Sequence, residues 1–218
     1  MKRPSSGFEF GNALVFDGVD DIVNFTGSSS TGVWSLSYWF KWDGTQTGVP
    51  LGGVSATKYV GYMATTKLKR ITVRMSGTNF FDFPDSHGDD NWHHVLITND
   101  NTVGMRCYKD GVESTSGLLT AGNTYSWTFD RLGQRNGSLK YKGVLDEVCY
   151  KEGYTGTLTD AQDLYNSGAG VDSSTILTSP TQYFKLNESG TDTTAINDGS
   201  GGDGTLSNFP ASGMWVAH

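Results

Sequence analysis

Apolar and polar residues alternate with a period of two along much of the chain, the pattern of strands that turn one face inward. It is clearest in 34–42, where Leu36, Tyr38, Phe40 and Trp42 fall on one face and Ser35, Ser37, Trp39 and Lys41 on the other. Upstream, two strand-length runs, 13–16 and 22–25, flank a turn of Asp17, Gly18, Val19, Asp20 and Asp21. Gly and Asp tolerate the positive φ a tight hairpin needs. Further strands are expected at 59–64, 70–75 and 80–83, separated by Gly, Ser, Thr or Asn turns, and later at 91–97, 104–112 and 140–150. Residues 1–12 read as an extended arm, with Phe8 and Phe10 alternating as on an edge strand. One short helical turn is predicted at 158–165, with Thr159 as its cap and Asp160 favourable in its first turn.

Composition agrees with short strands and many turns. The 218 residues include 29 Gly, 11 Phe, 10 Tyr and 6 Trp, and only 18% are charged, a profile of strands and turns rather than helices. All-β sandwiches often use such a length for one domain. A net charge of -7 with no cluster of Lys and Arg leaves nothing to release counterions from a phosphate backbone, so nucleic acid is excluded as a partner. No run approaches eighteen or so apolar residues, so no membrane insertion is expected. Lys2 and Arg3 are not followed by an apolar stretch, and no secretory signal is visible. Cys107 and Cys149 each lie in an apolar run, as two buried free thiols or as a bridge between neighbouring strands.

The hairpin at 13–25, ALVFDGVDDIVNF, resembles the opening of laminin-G-like jelly rolls, the concanavalin A-like lectin/glucanase group. Other landmarks follow in that group's order. The stretch Trp92-His93-His94-Val95 is similar to its Trp-His-His-Val strand, and Tyr108-Lys109-Asp110-Gly111 to its Tyr-x-Asp-Gly hairpin. KYKGVLDEVCY at 140–150 resembles its Asp-Glu strand, and LTDAQDLY at 158–165 its closing helical turn. The resemblance spans 13–165 and implies an all-β fold, a two-sheet antiparallel jelly-roll sandwich. Residues 166–180 read as a linker or long loop. The segments 183–188 and 198–206 resemble a stretch that precedes the opening hairpin in that group but comes last here. A C-terminal strand pair is therefore expected in 181–218, either closing its own sandwich in permuted order or pairing with a neighbour in a homo-oligomer.

Chemistry is harder to place. Glycanases of the resembled fold carry Glu-x-Asp-x-x-Glu on one strand, since glycoside cleavage needs two carboxyl groups a few ångströms apart. Here the comparable strand has Val144 and Cys149 at the outer positions, and strand alternation sends Asp146 and Glu147 to opposite faces. No enzyme activity is expected. His93 and His94 likewise face opposite ways, and His87 and His218 sit in polar, loop-like surroundings without zinc-ligand spacing. The resemblance permits a structural calcium ion at Asp17, Asp20, Asp21, Asp146 and Asp198, all in landmark segments; the alternative is that these carboxylates only brace turns. Sugar binding would use exposed rings beside polar groups, and Phe80, Phe81, Phe83 and Trp127 are the candidates.

The resemblance thus implies a non-catalytic structural or binding protein. With no visible signal segment, the setting expected is a virion surface: a head decoration, fibre or tail-associated component, with other virion proteins and host cell-surface glycans as partners. The alternative is a secreted carbohydrate-binding or adhesion module, extracellular or at the cell surface. A glycan-active enzyme ranks behind both.

Overall fold

The computed structural model describes residues 10–53, 58–63, 67–75, 78–102, 104–116 and 126–218. The expected arm falls almost wholly outside these, although Phe10 is described and buried. The first strands are β1 (Asn12–Asp17), β2 (Ile22–Thr31), β3 (Trp34–Lys41), β4 (Gly48–Gly52), β5 (Tyr59–Met63), β6 (Lys67–Arg74) and β7 (Thr78–Asp82). After them come β8 (Trp92–Asp100), β9 (Gly104–Lys109), β10 (Val112–Glu113), β11 (Ser126–Leu132) and β12 (Lys142–Glu152). The chain ends with the helix α1 (Leu158–Tyr165) and strands β13 (Gln182–Phe184), β14 (Thr194–Ala195), β15 (Gly204–Ser207) and β16 (Trp215–Ala217).

These strands form two antiparallel sheets of eight, packed face to face. Sheet A runs β10-β9-β8-β3-β12-β1-β16, with β13 also on β12; sheet B runs β14-β15-β2-β11-β4-β5-β6-β7. The fold is an all-β jelly-roll sandwich with one short helix.

The alternation of 34–42 explains where the interior sits. Leu36, Tyr38, Phe40 and Trp42 enter the main core with Val60, Tyr62, Ile71 and Phe81 from sheet B. Across the middle of that core the Tyr38 and Tyr62 hydroxyls lie 2.8 Å apart, satisfying two polar groups that would otherwise be orphaned. The opposite face of β3 is buried too. Ser35, Ser37 and Trp39 lie beneath a smaller cluster formed by Leu96, Tyr108, Cys149, Ala161, Leu164, Leu177 and Tyr183. Their polar atoms are paired: Ser37 Oγ with His94 Nε2 at 2.8 Å, and Ser35 Oγ donating to the Tyr154 carbonyl at 2.8 Å.

Several expectations change here. Of the two readings of 166–180 the long loop holds and the open linker does not: Ala169, Ser173 and Leu177 are buried, Leu177 within the smaller cluster. The tail supplies strands to both sheets of its own chain rather than one pair: β13 joins β12, β16 joins β1 and β15 joins β2. Cys107 lies in the main core and Cys149 in the smaller one, on opposite sides of sheet A, so both are free thiols and no bridge joins them. The helix is capped by Thr157, not Thr159: Thr157 Oγ1 accepts from the Asp160 amide at 3.2 Å, and Asp160 Oδ2 accepts from the Thr157 amide at 2.7 Å. This reciprocal box satisfies two amides that have no partner inside the helix.

Because α1 holds down the smaller core, Thr157→Ala should lower stability by about 1 kcal/mol. A urea melt that leaves the midpoint unchanged would show that the cap contributes nothing.

Candidate functional site

The opening hairpin brings three of the five acidic residues together. One carboxylate oxygen from each of Asp17, Asp20 and Asp21 lies within 4.8 Å of the others. Two of the groups brace the turn: Asp17 Oδ1 accepts from the Val19 amide and Asp21 Oδ2 from the Asp17 amide, both at 2.7 Å. Asp21 is only 3% exposed, and its Oδ1 has no hydrogen-bond partner among the described residues. Burial, opposed by the Asp17 amide and helped by the charges of Asp17 and Asp20, pushes its carboxyl up to about 6. Three crowded oxygens, one of them buried and unsatisfied, are a donor set that a hard cation fits.

The other two acids lie elsewhere. Asp198 pairs with Lys185 Nζ at 3.2 Å, and the same ammonium holds Asp172 at 3.2 Å. Asp146 is buried in β12, where its Oδ2 lies 2.5 Å from His218 Nδ1 and its Oδ1 accepts from the Glu147 amide at 2.8 Å.

The expected separation of Asp146 and Glu147 onto opposite faces does not occur, because β12 carries a bulge. Against β3 its register runs from Asp146 opposite Trp39 to Cys149 opposite Ser37, one residue longer than its partner, and Glu147 takes a φ of 51°. Both carboxylates therefore reach partners on the outer side of sheet A. Glu147 accepts from the Tyr183 hydroxyl and, at 3.4 Å, from the Ser173 amide. Both are buried and engaged within the fold.

Two histidines are also corrected. His218 is not in a loop-like setting but stacked between Phe10 and Trp92, at 3.8 and 3.7 Å between ring centres. His87 is fully buried against Phe40, Trp42 and Tyr62, and burial, its largest cause, drives it down to about 3.

The four candidate rings separate as alternation dictates. Phe81 is 0% exposed and faces Ile71 across the β6–β7 ladder; Phe83 is 3% exposed and Trp127 is 0%, its ring 5.6 Å from Trp34. These three are core and present no surface to a sugar. Phe80 is 38% exposed, with the Arg70 guanidinium 4.7 Å from its ring centre.

Phe80 belongs to a surface that composition alone did not reveal. In β5 and β6, Val60, Tyr62, Ile71 and Val73 point into the core, so Tyr59, Gly61 and Thr72 face out. There a hollow of about 150 Å³ opens, lined by Thr47, Gly48, Val49, Tyr59, Gly61 and Thr72, with Leu139 at its side. It persists because Gly61 adds no side chain; a Cβ there would press on the Tyr59 ring and the Gly48 carbonyl, each at 3.2 Å. Thr72 is 3% exposed and its hydroxyl has no hydrogen-bond partner among the described residues. Gly61 and Thr72 sit in one register row with Phe80. A glycine between two tyrosines of a strand was the signal available in the sequence.

Residues 17–162 match the family profile described as the concanavalin A-like lectin/glucanases superfamily. No curated protein sequence matches the chain significantly. Among solved structures, the chain is similar to a candidate carbohydrate-binding protein from Bacteroides ovatus, with a TM-score of 0.69 at 16% identity over 93% of this chain and 59% of that one. It is also similar to the native heptameric SAP-like pentraxin of Limulus polyphemus, at 0.59 and 12% over 77% and 87%. Domain 4 of AbnA, a GH43 extracellular arabinanase of Geobacillus stearothermophilus solved with arabinotriose, gives 0.53 and 21% over 72% and 78%. At these identities the likeness is one of fold.

Burial, the largest cause, also raises Glu147 from 4.5 to about 7, against the lowering hydrogen bonds from Tyr183 and Ser173. The folded state then binds this proton more tightly than the unfolded chain. Its contribution is complete below about pH 4.5 and falls as pH rises to about 7, by at most about 3 kcal/mol. Glu147→Gln should flatten that slope in urea midpoints taken across the range; an unchanged slope would rule the assignment out.

Proposed function

We propose that this chain, which belongs to the concanavalin A-like lectin/glucanases superfamily, is a non-catalytic binding module that takes glycans on the outer face of sheet B. The observation that carries this is the hollow beside Tyr59, with a Thr72 hydroxyl that has no partner among the described residues and exposed Phe80 in the same row. Sugar rings have an apolar face that packs on such surfaces and hydroxyls that need directional partners, and the row offers both. Likeness of fold to a candidate carbohydrate-binding protein and to an arabinanase domain solved with arabinotriose supports the reading. A binding role is favoured over hydrolysis because Asp146 and Glu147 are buried and already hydrogen-bonded.

The setting proposed is a virion surface, where the same face would meet host cell-surface glycans; labelled particles carrying symmetric copies would support it, and a chain absent from purified particles would sink it. We further propose that Asp17, Asp20 and Asp21 hold a structural calcium ion, which would relieve the crowded and buried carboxylates.

On an array of immobilised polysaccharides the chain should bind at least one class, and Phe80→Ala should weaken that binding by roughly tenfold, the scale of one stacked ring. Binding to no glycan would end the proposal. Calcium at about a hundred times its dissociation constant should add about 2.7 kcal/mol to stability, and Asp21→Asn should abolish the gain. A melting temperature indifferent to calcium and chelator would remove the ion.

A further inference from the structure

We infer that the ligand of the sheet B face is an acidic saccharide, one whose ring carries a carboxylate. The inference rests on the glycan-binding reading and adds the charge of what is bound.

The chain carries a net charge of -7, with 23 acidic residues, so carboxylates are not scarce on its surface. Most of the described arginines have one. Arg70 grips Asp82 through both prongs, Nη2 to Oδ2 at 2.7 Å; Arg131 meets Asp130 at 2.9 Å, and Arg106 meets Glu113 at 3.5 Å. Arg74 and Arg135 have no carboxylate partner among the described residues, and both stand at Tyr59. The Arg135 guanidinium lies 5.2 Å from the Tyr59 ring centre, and among the described residues its hydrogen bonds run to Ser138 Oγ in its own turn, at 3.2 and 3.4 Å. Arg74 is the cross-strand partner of Tyr59 and shares its outward face.

Two arginines without a carboxylate partner among the described residues thus neighbour Tyr59, which lines a hollow whose other walls are apolar apart from threonines. A guanidinium fork matches a carboxylate in both spacing and plane, and it is weakly hydrated, so its desolvation is affordable at a half-buried site. A ring seated there with its carbon face on Tyr59 and Leu139 would turn an edge carboxylate toward Arg74 and Arg135 and bring a hydroxyl to Thr72. A neutral sugar would use the hollow and leave both charges unanswered.

Calorimetric titration of the full chain with uronic-acid oligosaccharides (galacturonate, mannuronate/guluronate and hyaluronan types), each beside its carboxyl-reduced counterpart, tests this. At least one acid form should bind roughly tenfold or more tightly than its reduced twin, the scale of one charge-assisted hydrogen bond, and the ratio should shrink as salt rises. The Arg74→Gln/Arg135→Gln double variant should bring the ratio close to one while its melting temperature and its affinity for the reduced form hold. Thr72→Val, nearly the same shape, should weaken both forms alike. Equal binding of acid and reduced forms, or binding of sulfated but not carboxylated sugars, would overturn the inference and leave the glycan reading standing. Binding to no saccharide would fail both.

Discussion

Sealing a layer of large aromatic side chains between two eight-stranded sheets is the constraint from which the other features follow. Trp34, Tyr38, Phe40, Trp42, Tyr62, Phe81, Trp127 and Phe129 are too large to be covered by loops, so both sheets must extend over them. Phenolic oxygens inside such a layer need partners, and Tyr38 and Tyr62 supply each other's. Sheet A then meets a second requirement. Its outer face also carries apolar groups, which α1 and 166–180 cover, and the interior polar atoms there are paired serine by histidine and carboxylate by tyrosine. With that face closed, sheet B is the one left to offer a broad surface.

Much of this could be read from the chain itself. The period of two in 34–42 placed β3 and its inward residues, and the landmarks at 91–97, 104–112 and 158–165 became β8, the β9–β10 hairpin and α1. Local pattern failed where geometry departs from regular pleating. β4 contains Pro50 and pairs with β5 across a register shift, so its sequence looks like a turn. The bulge at Glu147 put on one face two neighbouring acids that alternation sends to opposite faces, because alternation assumes one residue for one.

The candidate site was less legible for a different reason. Phe80 and Phe81 are identical in type and adjacent, and only the register of β7 makes one a surface ring and the other a core ring. The hollow is defined by what Gly61 lacks, and by Leu139 and Arg135 arriving from a turn more than sixty residues away in sequence. Of the acids, those within one hairpin converge because five residues cannot separate far, whereas Asp146 and Asp198 found other partners.

The placement of the last strands bears on how the molecule comes to be made. β15 and β16 lie beside β2 and β1, so the earliest and latest parts of the chain complete each other's ladders. During synthesis β1 and β2 wait, each with one bare hydrogen-bonding edge, until β16 and β15 have been made. Contacts so distant in sequence form slowly, and an open strand edge is what a nascent neighbour would pair with. The sandwich therefore closes only after its last strands have been made, and its yield should depend on how crowded the newly made chains are.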